Sequence, residues 1–342
     1  MNLMLEVINL KTGFDIEGEI YHAVDDVSFS VKPRKIIGVV GESGCGKSVM
    51  SLSIMKLLPI GIGHITGGEI KFQGKNIENN SNDEMNKIRG KDISMIFQEP
   101  MTSLNPVFTI GFQIEEVMLN HSDITKKEAR NKAIELLKSV GISRPEKVVE
   151  EYPHQLSGGM RQRVMIAIAI ACQPKLLIAD EPTTALDVTV QAQILELLKS
   201  IQQKNDMSII LITHDLGVVA EMCDEVIVMY AGKIVERTNV DNLFYNPKHP
   251  YTKLLMASIP RIDKEVEALT TIQGIVPSLK NMPKTGCRFV DRCPSAKSEC
   301  STIMPQLETI ELDHDVACLL YKSSDLREEV RLQDGLYNGQ TR

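Results

Sequence analysis

The chain has 342 residues, of which 43% are hydrophobic, so it is long enough for one large domain or two modest ones with a substantial core. Its formal net charge of -7 disfavours nucleic acid as a partner, because duplex-binding surfaces carry an excess of Lys and Arg. The longest apolar runs are strand-length and the N-terminus shows no secretory signal, so we expect no transmembrane segment and a cytoplasmic location.

The chain up to about Tyr230 alternates β-rich apolar runs with helical periodicity, which is typical of an α/β fold with a mainly parallel core sheet. An early stretch that alternates apolar and polar residues predicts a small antiparallel sheet ahead of this core. Its alternating residues are Val24, Val27, Phe29 and Val31. The core strands and helices are predicted over residues 35–40, 47–58, 176–179, 190–201 and 209–212.

Residues 41–48 read Gly-Glu-Ser-Gly-Cys-Gly-Lys-Ser and lie between the first predicted core strand and a helix. This is the phosphate-binding pattern G-x-x-x-x-G-K-[ST] in its expected context. Its backbone N–H groups converge on phosphates, and the helix N-terminus adds positive charge. We expect Lys47 to contact the β- and γ-phosphates and Ser48 to hold Mg²⁺. The residues of this P-loop that are predicted to bind the nucleotide are Gly41, Ser43, Gly44, Cys45, Gly46, Lys47 and Ser48.

A second apolar strand ends in two carboxylates, Asp180 and Glu181. Beside a P-loop, Asp180 is placed to bind Mg²⁺ through water, and Glu181 to orient and polarise an attacking water. His214 ends a further strand and is expected at the same sheet edge, where it would sense the γ-phosphate. Alone, such residues are more typical of turns, helix caps and hydrogen-bonded strand ends. The catalytic interpretation therefore depends on the P-loop and on the other motifs in the same chain.

A second glycine-rich segment, Leu156-Ser157-Gly158-Gly159-Met160, lies between the P-loop and the acidic strand. One nucleotide needs only one phosphate cradle, so we expect another ATPase subunit to complete the site. Residues 109–160 lie between the first strand–helix unit and the acidic strand, and helical spacing of Glu, Lys and Leu before the glycines predicts an inserted helical subdomain there.

The run Leu156-Ser157-Gly158-Gly159-Met160-Arg161-Gln162-Arg163 resembles the signature motif of ABC transporter ATPases. The resemblance covers about residues 3–260. It implies that Ser157, Gly158 and Gly159 of one subunit close over the γ-phosphate held by the P-loop of the other. The motif order is also that of the family: P-loop, Gln98, signature, Asp180-Glu181, Thr184-Ala185-Leu186-Asp187 and His214.

The same resemblance implies roles for residues that composition alone would leave unassigned. Gln98 would contact Mg²⁺ or the lytic water and couple the nucleotide to membrane subunits, and Asp187 would lie at the subunit interface. The family stacks an aromatic ring on adenine, for which Phe14 is the candidate and Tyr21 the alternative. The side chain of Cys45 would point away from the phosphates.

Prolines interrupt the chain after Asn246, which predicts a separate C-terminal unit. Its opening, Asn246-Pro247-Lys248-His249-Pro250-Tyr251-Thr252, resembles the extension of oligopeptide and dipeptide importer ATPases, a subgroup that also handles nickel and related small solutes. We call residues 246–321 the extension, and we expect residues 1–245 to form the ATPase domain and residues 322–342 a flexible tail.

The extension carries four cysteines in the pattern C-x5-C-P-x5-C-x17-C. Four thiolates suit either a [4Fe–4S] cluster or tetrahedral Zn²⁺. The resemblance implies the iron–sulfur cluster, whereas zinc ribbons favour shorter spacings; unliganded or disulfide-forming cysteines are the third alternative. The predicted ligands are Cys287, Cys293, Cys300 and Cys318.

These features together predict the ATP-hydrolysing subunit of a membrane importer for di- or oligopeptides, with nickel less favoured. The resemblance implies two permease subunits, a second ATPase subunit that is a paralogue, and an extracellular solute-binding protein, which places the chain at the cytoplasmic face of the membrane. The rival interpretations are a DNA-repair or chromosome ATPase, a translation factor with two ATPase units in one chain, and a metal-binding regulator without turnover.

Overall fold

The fold is described from a computed structural model, which describes residues 3–99, 103–184, 186–258 and 272–321. Two features of the sequence lie outside these ranges. One is the tail predicted over residues 322–342, and the other is Ala185 in the motif Thr184-Ala185-Leu186-Asp187.

The described residues contain twelve strands, ten α-helices and four short 3-10 helices, and most of the core elements lie within a few residues of their predicted bounds. The strands are β1 (Leu5–Ile16), β2 (Glu19–Val31), β3 (Ile36–Val40), β4 (Gly63–Phe72), β5 (Lys75–Asn76), β6 (Ile93–Ile96), β7 (Leu176–Asp180), β8 (Ser208–Ile212), β9 (Glu225–Tyr230), β10 (Lys233–Asn239), β11 (Glu308–Glu311) and β12 (His314–Val316). The helices are α1 (Lys47–Ile54), α2 (Asn82–Ile88), α3 (Ile110–His121), α4 (Lys126–Ser139), α5 (Pro145–Val148), α6 (Gly158–Ile170), α7 (Val188–Lys204), α8 (Leu216–Met222), α9 (Val240–Tyr245) and α10 (Pro250–Ala257).

The main sheet has eight strands in the order β11-β12-β10-β9-β3-β8-β7-β6. The five strands from β9 to β6 pair in parallel, which confirms the mainly parallel core. Strand β3, with sequence Ile-Ile-Gly-Val-Val, is buried along its whole length, as expected for a parallel strand covered on both faces. The carboxyl ends of β3, β7 and β8 therefore meet at one edge, where the P-loop, Glu181 and His214 follow them.

A second sheet of four antiparallel strands, in the order β2-β1-β4-β5, covers one face of this core. In β2 the predicted apolar residues are buried while the residues between them are less so, which is the pattern of a strand with one face against a core. The small antiparallel sheet predicted from this alternation is thus present, and it brings β1 with Phe14 close to the P-loop.

Helices α3 to α6 lie between β6 and β7 in the chain; α3 and α4 pack against α6, and α5 packs against α4. The hydroxyl of Thr109 caps α3, and Thr125 and Glu128 form a reciprocal capping box at the start of α4. In α4 the apolar residues Ala129, Ala133 and Leu137 are buried against this group. The helical segment expected between the P-loop unit and the acidic strand is therefore present.

The extension is joined to the core rather than separate from it, which differs from the separate unit that its prolines predict. Strand β12 pairs antiparallel with β10 and thereby lengthens the main sheet. The rings of Tyr251 and Phe289 pack against Tyr230 of β9, with centroids 4.8 and 5.0 Å from it. These aromatic contacts supply the extension with an apolar core that it shares with the parallel sheet.

A buried hydrogen bond between two side chains fixes the register of this junction. Nε2 of His314 lies 2.7 Å from Oε1 of Glu236, and both side chains are fully buried. The Glu236 carboxylate also accepts the backbone N–H groups of Lys248 and His249 at 2.8 Å. Burial would raise the pKa of Glu236, but these hydrogen bonds outweigh it and lower the pKa, so the carboxylate stays ionised. The start of the extension is thus held on β10.

Among the described residues, none of the helices combines the length and the apolar character needed to cross a bilayer.

Candidate active site

The P-loop takes a conformation that its glycines make possible. Gly41, Gly44 and Gly46 have φ angles of 151°, 77° and 104°, in the region that favours glycine. A Cβ atom at Gly41 would lie 2.2 Å from the carbonyl oxygen of Met229, and one at Gly46 would lie 2.5 Å from that of Ala23. Larger residues would therefore displace the loop from the strands beneath it.

Lys47 lies inside this loop and is only 6% exposed. Its Nζ donates to the carbonyl oxygens of Gly41 at 2.7 Å and Glu42 at 3.1 Å. Both acceptors are neutral, so the described structure pairs this buried ammonium with no carboxylate. A strongly anionic ligand such as a triphosphate would supply the missing negative charge.

A cavity of about 450 Å³ opens above the loop. It brings together Phe14, Gln98, Glu181 and five of the seven predicted P-loop residues, whereas Gly41 and Cys45 do not line it. The Cys45 side chain is fully buried, and this burial raises the pKa of its thiol. The thiol therefore faces the interior, as the resemblance implies. The cavity is lined by Phe14, Ala23, Ser43, Gly44, Gly46, Lys47, Ser48, Val49, Gln98, Glu181, Val276, Pro277, Ser278 and Leu279.

Glu181 follows the acidic strand, and its carboxylate contacts three other side chains. Its Oε2 accepts from Nε2 of Gln98 at 3.0 Å and from the hydroxyl of Thr184 at 2.9 Å, and its Oε1 lies 3.4 Å from Nδ1 of His214. Its φ angle of 47° is uncommon for a non-glycine residue, a form of backbone strain that is concentrated at functional sites. The structure thus brings together the three residues predicted for catalysis.

The carboxyl group of Glu181 is held ionised by this arrangement. Burial alone would raise its pKa, but the Thr184 hydroxyl and the His214 imidazole outweigh burial, so the pKa lies below its ordinary value. An ionised carboxylate at the cavity wall can accept a hydrogen bond from water and polarise it. Sequence reasoning missed the part played by Thr184, although the residue lies in a motif of the resemblance.

Asp180 and Ser48 fit the Mg²⁺ ion that ATP hydrolysis requires. Asp180 is 4% exposed, and its Oδ1 has no hydrogen-bond partner among the described residues. Burial raises the pKa of Asp180, and a hydrogen bond from the Ser48 hydroxyl lowers it in part. A buried carboxylate oxygen without a partner beside a hydroxyl is a suitable donor set for Mg²⁺. When bound, Mg²⁺ neutralises charge on the phosphate oxygens.

We expect Asp180→Asn to lower hydrolysis at a fixed Mg²⁺ concentration about 100-fold, since it removes a charged ligand from the ion that stabilises the transferred phosphoryl group. The melting temperature of the nucleotide-free protein should stay the same or rise, because the substitution removes a buried charge. Steady-state ATPase assays over a Mg²⁺ series and thermal denaturation measure the two effects. An ATPase activity that stays at the wild-type level at limiting Mg²⁺ would contradict this role.

The signature segment lies apart from the cavity. Ser157 caps α6 by accepting the N–H of Met160, and Ser157 and Gly158 are exposed. Gly159 packs beside Val190 of α7, whose N-terminus is capped by Asp187. None of the four predicted residues Ser157, Gly158, Gly159 and Asp187 lines the cavity that contains Lys47. They present helix N-termini outward, as expected if they act on a nucleotide held by another subunit.

The two candidates for adenine stacking are separated by the structure. Phe14 lines the cavity. Tyr21 does not, and its hydroxyl donates to Glu19 at 2.8 Å instead. Of the two candidates, only Phe14 thus lies at the cavity.

The predicted iron–sulfur centre is not supported. The thiols of Cys287, Cys293, Cys300 and Cys318 are all free. They lie near one another: burial raises the pKa of Cys287 to about 11, and the three other thiols contribute to this shift. Among the described residues, however, no group of three or more His, Cys, Asp or Glu side chains is arranged to hold a metal ion.

The fold and site define an ABC-type ATPase, and comparisons with known proteins agree. The family profile described as ABC transporter matches residues 24–184, and that described as the C-terminal region of oligopeptide/dipeptide transporters matches residues 235–300. The solved structure of the ATP-binding cassette MJ0796, in a post-hydrolysis state bound to ADP and Pi, is 28% identical, with a TM-score of 0.63 over 69% of this chain and 99% of that one.

The chain belongs to the ATP-binding proteins of the oligopeptide and dipeptide ABC transporter family, and it is an ATPase. It is 56% identical to the oligopeptide transport ATP-binding protein AppD of Bacillus subtilis, over 94% of this chain and 98% of that protein. It is 51% identical to the dipeptide transport ATP-binding protein DppD of the same organism, over 94% of this chain and 95% of that protein. The family inferred from the signature motif is thus confirmed.

Proposed function

We propose that this chain is the ATP-hydrolysing subunit of a membrane importer for di- or oligopeptides, with nickel or a related small solute as the less favoured cargo. One observation carries the proposal. In a single chain, Lys47, Asp180 and the Glu181 carboxylate with its three partners lie at one sheet edge. The same chain carries an extension of the oligopeptide/dipeptide transporter type. The names of its relatives support a peptide as the solute.

In this proposal each residue of the cavity has a separate task. Lys47 binds the β- and γ-phosphates, and Ser48, Asp180 and Gln98 hold Mg²⁺. Glu181 orients the water that attacks the γ-phosphorus in line with the leaving oxygen. Catalysis then comes from positioning and from stabilisation of charge.

The remaining residues of the site act around this centre. His214 contacts the γ-phosphate and Gln98 the lytic water as well as the ion. Phe14 stacks on the adenine ring, and Gly41 and Cys45 shape the loop without reaching the cavity.

A second ATPase subunit completes the site in this proposal. Ser157, Gly158, Gly159 and Asp187 are turned away from this chain's own cavity, so they serve the nucleotide of the partner. The family resemblance favours a paralogue over a second copy of this chain. Residues 1–245 then form the ATPase domain, residues 246–321 the extension and residues 322–342 a tail.

The partners follow from the same assignment. Two permease subunits cross the membrane, and the chain binds them peripherally at the cytoplasmic face through the region of Gln98 and the helical insert, about residues 109–160. An extracellular solute-binding protein delivers the peptide. No nucleic acid takes part.

Affinity purification of the tagged full-length chain from its own membranes tests this function. We expect mass spectrometry to find two permease subunits and a second ATPase subunit, and vesicles with the purified complex and its solute-binding protein to accumulate labelled peptide only with ATP. The Glu181→Gln complex is the matched control. Uptake of nickel instead of peptide would contradict the solute, and ATPase activity stimulated by nucleic acid would favour a repair or chromosome ATPase.

The [4Fe–4S] cluster in the extension stays a prediction from the resemblance, with Zn²⁺ as its alternative. Its support is limited to four free cysteines that lie near one another. Iron and acid-labile sulfide assays on anaerobically purified protein decide the question. Zinc without sulfide would select the alternative, and the absence of both would leave four plain thiols.

A further inference from the structure

Part of the extension forms a wall of the nucleotide cavity. Residues 276–279 line it together with Phe14 and the P-loop, although they lie more than 220 residues beyond that loop in the chain. We call residues 272–281 the strap. No ATP-binding motif of the sequence includes them.

The strap is fixed at one end to the P-loop through Arg292. The Arg292 guanidinium forms a two-pronged ion pair with the carboxylate of Glu42, at 2.6 and 2.9 Å, and its side chain is only 7% exposed. The same guanidinium donates to the carbonyl oxygen of Gln273 at 2.8 Å and, at longer range, to those of Ile272 and Gly274. A planar fork with five donors can bind the carboxylate through two parallel hydrogen bonds and the carbonyl oxygens at the same time, whereas an ammonium group has only three donors.

A second residue of the extension fixes the same point of the P-loop. The hydroxyl of Tyr251 accepts the backbone N–H of Glu42 at 2.9 Å, and its ring is fully buried against Phe289. Glu42 is thus held through both its side chain and its backbone. The position of the strap is therefore tied directly to the loop that binds phosphate.

The other end of the strap lies at the hairpin that carries Phe14. The turn Leu279–Asn281 packs against β2, and Nζ of Lys280 lies 2.8 Å from a carboxylate oxygen of Glu17, three residues after Phe14. The strap therefore runs from the P-loop to the β1–β2 hairpin. Between these anchors Val276, Pro277 and Leu279 are half-buried and apolar.

We propose that the strap contacts the adenine of ATP bound in this chain's own P-loop, with Val276, Pro277 and Leu279 enclosing the base together with Phe14. The cavity is polar at the P-loop and apolar where Phe14, Val49 and the strap line it, which matches a triphosphate joined to a flat aromatic base. Its volume of about 450 Å³ is within the range of small-molecule sites. This inference rests on the assignment of the cavity as the ATP site.

The test compares ligands with and without a base. Isothermal titration of the full-length chain measures the affinities for ATP and for inorganic triphosphate, each with Mg²⁺. We expect Leu279→Ala to weaken ATP binding about tenfold, equal to about 1.4 kcal/mol, and to leave triphosphate binding unchanged. Val276→Ala and Phe14→Ala should act in the same direction. The matched control is Ile275→Ala, since Ile275 is 87% exposed and does not line the cavity.

Three results would overturn the inference in distinguishable ways. Unchanged ATP affinity in both Leu279→Ala and Val276→Ala would remove the strap from the base site. An equal loss of ATP and triphosphate affinity would show that the strap acts only through the shape of the P-loop. Wild-type protein that binds neither ligand would overturn the ATP-site assignment itself, and the strap contact with it.

Discussion

Glu181→Gln is expected to bind ATP with wild-type affinity and to hydrolyse it 100- to 1,000-fold more slowly, the loss typical of removing one preorganised catalytic contact. The amide keeps the shape of the side chain, but it cannot carry the negative charge that polarises the attacking water. Binding should persist because the ammonium of Lys47 and the P-loop backbone are untouched. ATP titration and single-turnover hydrolysis, both measured on the chain assembled with its second ATPase subunit, determine the two quantities separately.

The hydrogen bonds of Glu181 explain why this substitution is informative. Gln98 and Thr184 both donate to Oε2, so a glutamine that presents its carbonyl oxygen to them preserves the local structure. Because bound ATP is not turned over, the variant should also accumulate a closed dimer with the second ATPase subunit, visible as a larger species in gel filtration of the two subunits together. The control is Glu196→Gln, because Glu196 is exposed on α7. Wild-type turnover in Glu181→Gln would mean that another group activates the water.

Local patterns were sufficient to predict the centre of this site. The P-loop, Asp180, Glu181 and His214 each follow an apolar strand directly, and parallel strands bring their carboxyl ends to one edge whatever the details of packing. Phe14 was selected only through the family resemblance, and it lies within β1. The positions of the core strands also followed from the sequence, since β3, β7 and β8 consist almost entirely of apolar residues.

The contacts made by the extension had no local signal. Arg292 and Glu42 are 250 residues apart, and nothing in either neighbourhood distinguishes this pair from two solvated charges. Strands β11 and β12 are short and not markedly apolar, so periodicity did not reveal them, although they lengthen the main sheet. The prolines after Asn246 correctly indicated irregular structure, but irregular structure can still be buried on a neighbouring domain.

The cysteine pattern shows another limit of sequence reasoning. Spacing and composition were compatible with a cluster, zinc or free thiols, and only the resemblance favoured the cluster. The structure places the thiols near one another without a ligand geometry. Because metal binding and local folding are coupled, side-chain arrangement around such a group depends on the group itself.

Lys47→Ala is expected to lower the affinity for Mg²⁺-ATP about 100-fold, with hydrolysis falling in parallel at subsaturating ATP. A charge-assisted contact to phosphate contributes about 1.5–3 kcal/mol, and the 6% exposure of Lys47 places this one at the upper end. The nucleotide-free protein should keep its melting temperature, since its neutral carbonyl partners, Gly41 and Glu42, belong to a loop open to the cavity and can bind water instead.

Titration with ATP and with ADP locates the contact along the phosphate chain. If Lys47 binds the β- and γ-phosphates, Lys47→Ala should lose affinity for both nucleotides and more for ATP. The matched control is Lys127→Ala on the exposed face of α4, which removes the same charge far from the cavity. Lys47→Ala that binds ATP normally and only fails to hydrolyse it would assign binding to the backbone N–H groups of the P-loop. Lys47 would then act on the transition state, as Glu181 does, and the two variants would no longer separate binding from chemistry.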